Sequence, residues 1–157
     1  MKNLKITPCL WFDSQAEEAA HFYVSIFKNS KMGYISYYTK EGFEIHGKKA
    51  GSVLTVSFEL NGQVFTAMNG GPIFKFNEAI SFQVFCDNQQ EIDYYWKKLT
   101  ENGEEGQCGW LKDKYGLSWQ IVPSILPELM LDTLRAERVM KALLQMTKLD
   151  IQKLEEA

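Results

Sequence analysis

Residues 11–17, WFDSQAE, decide the fold of this chain, because they return further along as residues 85–91, FCDNQQE. The same shift places Ile6 over Ile80. In each copy an extended apolar segment ends in Asp and a polar residue, and a Glu follows three positions later, which is typical of a helix start. The repeat therefore predicts that one supersecondary unit is built twice.

The first copy predicts a strand, a helix and three more strands. Its apolar segment, residues 4–12, is extended, and Ser14 with Glu17 is expected to form a capping box where the helix begins. Apolar side chains then recur at helical spacing as far as Phe27. The later strand candidates are residues 31–39, 52–60 and 63–68, and the hairpin signal Asn61-Gly62 joins the last two.

The second copy predicts the same order with weaker strands. A strand is expected over residues 80–86 and a helix over 89–102, and two strands follow at 107–111 and 117–122. The fold class is therefore α+β, with two tandem β-α-β-β-β modules. The modules span about residues 3–70 and 78–124 of a single domain at 1–126.

The chain continues beyond this domain as a C-terminal helical extension, residues 127–157. Apolar side chains between Leu131 and Met146 recur at helical spacing, so one face of this extension is covered by something. The pattern fits a helix laid over the domain and equally an arm that reaches a second subunit.

The composition favours one compact domain and excludes several classes of partner. The chain has 157 residues, of which 45% are apolar and 24% charged, and its net charge is -3. Its scattered lysines form no basic surface for nucleic acid, and no apolar run reaches the roughly 18 residues of a membrane span. Cys9, Cys86 and Cys108 form no C-x-x-C pair, which indicates reduced thiols and a cytoplasmic protein.

A family resemblance runs through nearly the whole chain. It is carried by residues 6–27 (ITPCLWFDSQAEEAAHFYVSIF), 52–72 (SVLTVSFELNGQVFTAMNGGP), 108–124 (CGWLKDKYGLSWQIVPS) and 139–157. In these stretches the chain resembles the PhnB-like proteins, often labelled demethylubiquinone methyltransferase-like. That group belongs to the glyoxalase, bleomycin-resistance and extradiol-dioxygenase superfamily, whose fold is named vicinal oxygen chelate. The resemblance implies paired β-α-β-β-β modules whose curved sheets surround a ligand cavity, and a homodimer.

The resemblance also gives positions at which a metal can be sought. Metal-using relatives hold a divalent ion through His and Glu side chains from the first and last strands of each module. The matching positions here are Thr7 or Pro8, one of Ala67, Met68 and Asn69, then Ser81 and Gln120. Because such an ion needs imidazole, carboxylate or thiolate donors, no metal and no other cofactor is expected.

Other chemistries find little support in the residues. His21 and His46 are the two histidines, and their spacing suggests no metal site or nucleophile–base pair. The stretch Asn69-Gly70-Gly71-Pro72 leads into a loop, so it predicts a turn and not the strand–glycine–helix pattern of a methyl donor site.

Strand alternation divides the remaining side chains between two faces. Ser81 and Gln83 oppose Phe82, and Gln120 opposes Trp119. If the implied fold holds, the polar set lines the concave face and suits a small organic ligand, while a solvated sheet face would show the same alternation. The ligand-binding candidates are Thr7, Cys9, Trp11, Ser57, Ser81, Gln83, Phe85 and Gln120.

Three functions remain open on the sequence. The first is a metal-free homodimer that binds a small, partly aromatic molecule without turnover. The second is an enzyme in which Glu59 is the general base beside Gln83 and Gln120, acting as a lyase, an isomerase or, by the family label, a ubiquinone-related methyltransferase. The third is an interaction protein that works through its helical extension.

Overall fold

The structure is a computed structural model that describes residues 6–157, so the first two residues of the predicted strand 4–12 lie outside the described part. The described chain forms two compact units, which divide between Lys75 and Phe76. Each unit has its own four-stranded sheet. Among the described helices, none is long and apolar enough to cross a membrane.

The first unit has the predicted order of a strand, a helix and three strands. Its sheet runs β1-β4-β3-β2, with β1 and β4 parallel and the other neighbours antiparallel. Asn61 and Gly62, at φ 45° and 89°, form the predicted hairpin turn between the last two strands. The elements are β1 (Cys9–Phe12), α1 (Ala16–Ile26), β2 (Lys31–Tyr37), a short helix α2 (Phe43–His46), β3 (Val53–Leu60) and β4 (Gln63–Asn69).

The second unit repeats this topology and continues into the helical extension. Its sheet runs β5-β8-β7-β6, again with one parallel pair, β5 with β8. The elements are β5 (Ser81–Cys86), α3 (Gln89–Thr100), β6 (Glu104–Glu105), β7 (Trp110–Lys112), β8 (Ser118–Pro123), α4 (Leu126–Leu129), α5 (Thr133–Leu143) and α6 (Ile151–Glu155). The α+β class and the two β-α-β-β-β modules are confirmed.

The two module helices begin in different ways. In α3 the Asn88 side chain accepts from the Glu91 N–H, and the Glu91 carboxylate accepts from the Asp87 N–H at 3.0 Å. In α1 the N-cap is Gln15, and the Ala16 N–H donates to Asn69 Oδ1 at 2.8 Å. The predicted Ser14–Glu17 capping box is therefore wrong, because a side chain from the end of β4 occupies the helix start.

Each helix covers one face of its own sheet. In the first unit Tyr23 of α1 stacks on Phe58 of β3, with ring centroids 6.0 Å apart, and both side chains are fully buried. In the second unit Ile92, Leu99 and Ile121 are likewise fully buried. Burial of such large apolar side chains on one face leaves the opposite face of each sheet to the alternating polar residues.

The helical extension packs within the second unit. Leu129, Val139, Leu149 and Leu154 form a small buried core of their own. Gln89 at the start of α3 holds the segment before α6, donating to the Leu149 carbonyl at 3.1 Å and accepting from the Ile151 N–H at 3.0 Å. These contacts show that part of the apolar face of the extension is covered within the second unit itself. The domain division at residue 126 stays a prediction.

Candidate functional site

A chain of polar side chains crosses the open face of the second sheet. Gln83 and Gln120 lie opposite each other on the parallel strands β5 and β8, and Ser81 lies two residues before Gln83. Gln120 Nε2 donates to Ser81 Oγ at 2.8 Å, and Gln83 Nε2 donates to Gln120 Oε1 at 3.3 Å. Three of the predicted ligand-binding residues are therefore joined by hydrogen bonds.

The same face holds three residues that were not among the predicted ligand contacts. Trp110 pairs with Gln120, and Lys112 pairs with Ser118, across β7 and β8. The predicted strand 107–111 ends before Lys112, and Trp110 was not assigned to a face. Alternation through the observed strand places Trp110 and Lys112 on the same face as the glutamines, with Trp110 beside Gln120 and Lys112 beside Ser118.

Ser118 is the unusual member of this face. Its side chain is fully buried, and within residues 6–157 its Oγ has no hydrogen-bond partner. Buried hydroxyls are normally paired, since an unpaired one costs about 1–3 kcal/mol. An unpaired hydroxyl beside other polar groups is what a site leaves open for a ligand or a water molecule.

A cavity of about 200 Å³ opens over Ser118. Its walls include Trp110, Lys112 and the carboxylates of Glu78 and Glu104. Lys112 forms a close ion pair with Glu78 and a looser one with Glu104 at 3.9 Å. The hydrogen bond between Lys112 and Glu78 raises the pKa of the lysine and lowers the pKa of the carboxyl. Lys112 is therefore a fixed cation, and it does not suit a general base.

The loop before β8 explains why these side chains face the cavity. Asp113, 3% exposed, accepts from the N–H groups of Tyr115 at 2.9 Å and Leu117 at 3.1 Å. Its other carboxylate oxygen accepts from the Trp119 indole N–H at 2.8 Å. Trp119 is thereby held on the buried face, so alternation turns Ser118 and Gln120 to the opposite face.

Phe85, also a predicted ligand contact, lies two residues beyond Gln83 on β5. Its side chain is 53% exposed. It pairs with Val122 and therefore extends the same face toward the end of the strand. An aromatic ring left this open is available to pack on an apolar part of a ligand.

In the first unit, Trp11 is held by the glycines that follow β4. Its indole N–H donates to the Gly71 carbonyl at 2.8 Å, and its ring meets Phe74 edge-on with centroids 4.9 Å apart. A Cβ on Gly70 would lie 2.1 Å from the Trp11 ring. Asn69 ends β4 and the stretch then leads into a loop, as predicted, and Gly70 makes room for the Trp11 ring.

The other candidates of the first unit differ in exposure. Thr7 is half-buried and precedes β1, Cys9 is exposed, and Ser57 is 3% exposed on β3. Cys9 pairs with Thr66 of β4, which in turn pairs with Ser57 of β3. These three strands therefore place Cys9 and Ser57 on one face of the first sheet.

Glu59, the candidate general base, forms an ion pair on the first sheet. Its carboxylate lies 3.4 Å from Lys31 Nζ on the neighbouring strand β2. The glutamate side chain is 17% exposed and the lysine side chain 62% exposed. The Glu59 carboxylate is therefore engaged by a lysine of the neighbouring strand.

The positions that hold a metal in relatives do not fit one here. Asn69 is 7% exposed, and its Oδ1 accepts from Ala16 while its Nδ2 donates to the Val53 carbonyl at 3.1 Å. Gln120 Oε1 already accepts from Gln83. Neutral amide oxygens bind hard or borderline divalent ions weakly, and these two oxygens are occupied by N–H donors.

The histidines take no part in a metal site within residues 6–157. His46 lies at the end of α2, where its Nδ1 accepts from the Lys48 N–H at 2.9 Å, and its ring lies 4.6 Å from that of Tyr38. In this described range no three side chains of His, Cys, Asp or Glu gather in a group that could hold a metal ion.

Comparisons with known proteins agree on family and fold. The family model described as 3-demethylubiquinone-9 3-methyltransferase matches residues 4–122. A PhnB protein from Bacillus cereus, itself a predicted 3-demethylubiquinone-9 3-methyltransferase, is 37% identical, with a TM-score of 0.67 over 76% of this chain and 99% of that chain. No curated protein matches the chain.

Two more distant structures share the fold. The fosfomycin resistance protein FosX from Mesorhizobium loti is 12% identical, with a TM-score of 0.57 over 84% of this chain and 100% of that chain. FosX from Listeria monocytogenes, in complex with Mn(II) and a sulfate ion, is 17% identical, with a TM-score of 0.53 over 83% and 97%. The chain therefore belongs to the PhnB-like family described as 3-demethylubiquinone-9 3-methyltransferase, within the vicinal oxygen chelate superfamily.

Proposed function

We propose that this protein binds a small organic ligand on the open face of its second sheet, without a metal ion. The observation that carries the proposal is the polar chain of Ser81, Gln120 and Gln83 beside the unpaired hydroxyl of Ser118. A few placed polar groups within an otherwise aromatic and apolar wall are typical of ligand sites. Here Trp110 and Phe85 supply the aromatic part.

The amides leave hydrogen-bonding capacity for a ligand. Each glutamine side chain has two N–H donors and one carbonyl oxygen, and the bonds along the chain use one donor of each and the Gln120 oxygen. The Gln83 oxygen is left to accept a hydrogen bond from a ligand. The second N–H of each amide is left to donate a hydrogen bond to a ligand. Such a set recognises a molecule that carries both a carbonyl or hydroxyl and a ring.

The proposal is tested with small aromatic probes on isotope-labelled protein. Benzamide and hydroquinone are titrated while the amide resonances of Ser81, Gln83 and Gln120 are followed by NMR. We expect shifts that cluster on these strands, and Gln120→Leu should weaken binding about tenfold by removing one polar contact. Gln63→Leu, at the exposed start of β4, is the matched control. The site would be refuted if the probes shift no resonances on these strands, or if the shifts and the affinity are unchanged in Gln120→Leu.

The predicted contacts Thr7, Cys9, Trp11 and Ser57 belong to the first unit and remain proposals. Trp11 is the weakest among them, because its indole N–H is engaged by Gly71. The experiment on the second sheet does not test these four residues. Following their resonances in the same titration tests each one separately.

An enzymatic role through Glu59 is the alternative to binding without turnover. The ion pair with Lys31 supports a structural role for this carboxylate. Methyl transfer would use the glycine stretch to bind a methyl donor, but its residues have packing roles. Gly70 leaves space for the Trp11 ring, and the Gly71 carbonyl accepts from the Trp11 indole N–H. A Glu59→Gln variant that keeps any activity found in the protein would remove Glu59 from the mechanism.

We propose further that the protein is a cytoplasmic homodimer. Three free cysteines, Cys9, Cys86 and Cys108, support a reducing compartment. Leu131 and Leu134, which are 83% and 70% exposed, are the most exposed large apolar side chains of the extension and would be covered by a second subunit. Analytical ultracentrifugation should give twice the chain mass of 18.1 kDa. A monomeric mass would refute the dimer. A dimer that persists in Leu131→Lys/Leu134→Lys would show that the extension is laid over its own domain and is not an arm that reaches the second subunit.

A further inference from the structure

The cavity over Ser118 has an acidic rim. Its walls include Glu78 and Glu104, whose two carboxylates lie against the single ammonium of Lys112, while the carboxylate of the neighbouring Glu105 accepts from the Trp96 indole N–H at 2.9 Å. Lys112 lies between Glu78 and Glu104, so one positive charge already sits among these carboxylates. The local balance remains negative, and a cleft of one sign concentrates ligands of the opposite sign.

The floor of the cavity suits the same kind of ligand. Trp110 lines it, and the face of an indole ring attracts cations more strongly than other aromatic faces do. Ser118 also lines it, and its hydroxyl, which is fully buried and without a partner in the described residues, has an oxygen that can accept from an N–H donor. This unpaired hydroxyl is an observation independent of the carboxylates, and it marks the cavity as a site.

The volume limits what enters. At about 200 Å³ the cavity lies below the range of roughly 300–1,000 Å³ that holds a drug-sized molecule. It therefore takes one group of a ligand and leaves the remainder to the neighbouring amides of Gln83 and Gln120.

We propose that the ligand of this site carries a protonated amine, which enters the cavity over Trp110 and Ser118 and is held by the carboxylates around it. The inference rests on the proposed function, because the cavity opens on the same face of the second sheet. Small aromatic amines are the expected class, and the charge of the rim disfavours small aromatic anions.

The test uses three probes of equal size and different charge. Benzylamine is protonated at neutral pH, benzyl alcohol is neutral, and benzoate is an anion. Each is titrated against labelled protein while the Trp110 indole and Ser118 amide resonances are followed. Benzylamine should bind at least fivefold more tightly than benzyl alcohol and lose affinity as salt is raised, because salt screens exposed charges. Benzoate should bind weakest.

Charge variants give a second readout of the same claim. Glu104→Gln should weaken benzylamine binding about two- to fivefold, and Lys112→Gln should strengthen it by a similar factor, as expected for partly exposed charges. Glu137→Gln on α5 makes the same charge change away from the cavity and should leave the affinity unchanged.

The possible results separate this inference from the proposed function. If benzyl alcohol or benzoate binds as well as benzylamine, or if Lys112→Gln abolishes binding, the site binds a ligand but the amine class is wrong. If no probe shifts any resonance on the second sheet, both the inference and the proposed function are wrong.

Discussion

Gln120 Nε2 donates to Ser81 Oγ at 2.8 Å across the parallel strands β5 and β8. Ser118, which lies directly opposite Ser81 in the strand register, receives no such bond within the described residues. Two serines that pair with each other across the sheet thus differ, because the Ser81 hydroxyl is part of a hydrogen-bonded chain and the Ser118 hydroxyl is buried without a partner in the described residues. That difference is hard to explain by stability alone, and it leads to a direct test.

Replacement of Ser118 by Ala should stabilise the protein. The hydroxyl is buried and unpaired, so its removal relieves a desolvation cost of about 1–3 kcal/mol. Chemical unfolding should show an increase of about 1 kcal/mol in the free energy of unfolding, while benzylamine binding weakens. Ser36→Ala is the matched control, because the Ser36 hydroxyl is bonded to Thr55 at 2.6 Å and its loss should destabilise. A less stable Ser118→Ala protein would mean that the hydroxyl has a partner in solution.

Replacement of Asn69 by Ala should cost more than an ordinary helix cap. Asn69 accepts from the first N–H of α1 and donates to the Val53 carbonyl, and it is 7% exposed. Loss of both bonds in a buried place should cost about 2–3 kcal/mol. Asn88→Ala removes the cap of α3, where the contact is exposed, and should cost about 1 kcal/mol. Equal losses of unfolding free energy in the two variants would contradict this account.

The Asn69 contact shows what the sequence could not supply. Local patterns predicted a capped start for both helices, and the prediction holds at α3, where the capping residue lies three positions from its partner, but not at α1. At α1 the partner is 53 residues away along the chain, so that only the parallel pairing of β1 with β4 brings it to the helix. Contacts that depend on tertiary pairing leave no local signal.

The candidate site was likewise predicted only in part from the sequence. Alternation correctly predicted that Trp119 and Ile121 are buried while Gln120 faces the other side. It also predicted the shared face of Ser81 and Gln83. It missed the acidic rim, because Glu78 lies in a loop and Glu104 in a two-residue strand, where no periodicity exists to be read.

Replacement of Gly70 by Ala should be strongly destabilising, for a reason that depends on Trp11. The new Cβ would lie 2.1 Å from the indole ring, so the ring must move from its bond to Gly71. Overpacking of this kind costs about 1–3 kcal/mol. Trp11→Leu frees the space, so Gly70→Ala should cost much less in that background. A double-mutant cycle on unfolding free energies measures the coupling, and additive losses would show that backbone strain, not the ring, makes Gly70 necessary.

The Cys86 thiol should make the protein less stable in alkali. Burial, with smaller contributions from the charges of Glu91 and Asp87, raises the pKa of this thiol from 9.0 to about 12. Between these two values the unfolded chain has lost the thiol proton and the folded protein keeps it. Because the folded state then binds more protons, stability falls as pH rises through this window, by up to about 1.4 kcal/mol per pH unit.

Urea unfolding at pH 8, 9 and 10 measures this effect. Cys86→Ala lacks the thiol, so above pH 9 its unfolding free energy should decline less steeply than that of the original protein, even though its overall stability is lower. Lysines and tyrosines also titrate in alkali, and the comparison removes their shared contribution. As a second readout, iodoacetamide at pH 9 should label the exposed Cys9 well before Cys86, whose side chain is fully buried. Parallel pH profiles for the two proteins would show that the thiol ionises equally in the folded and unfolded states, and rapid labelling of Cys86 would show that its strand opens to solvent.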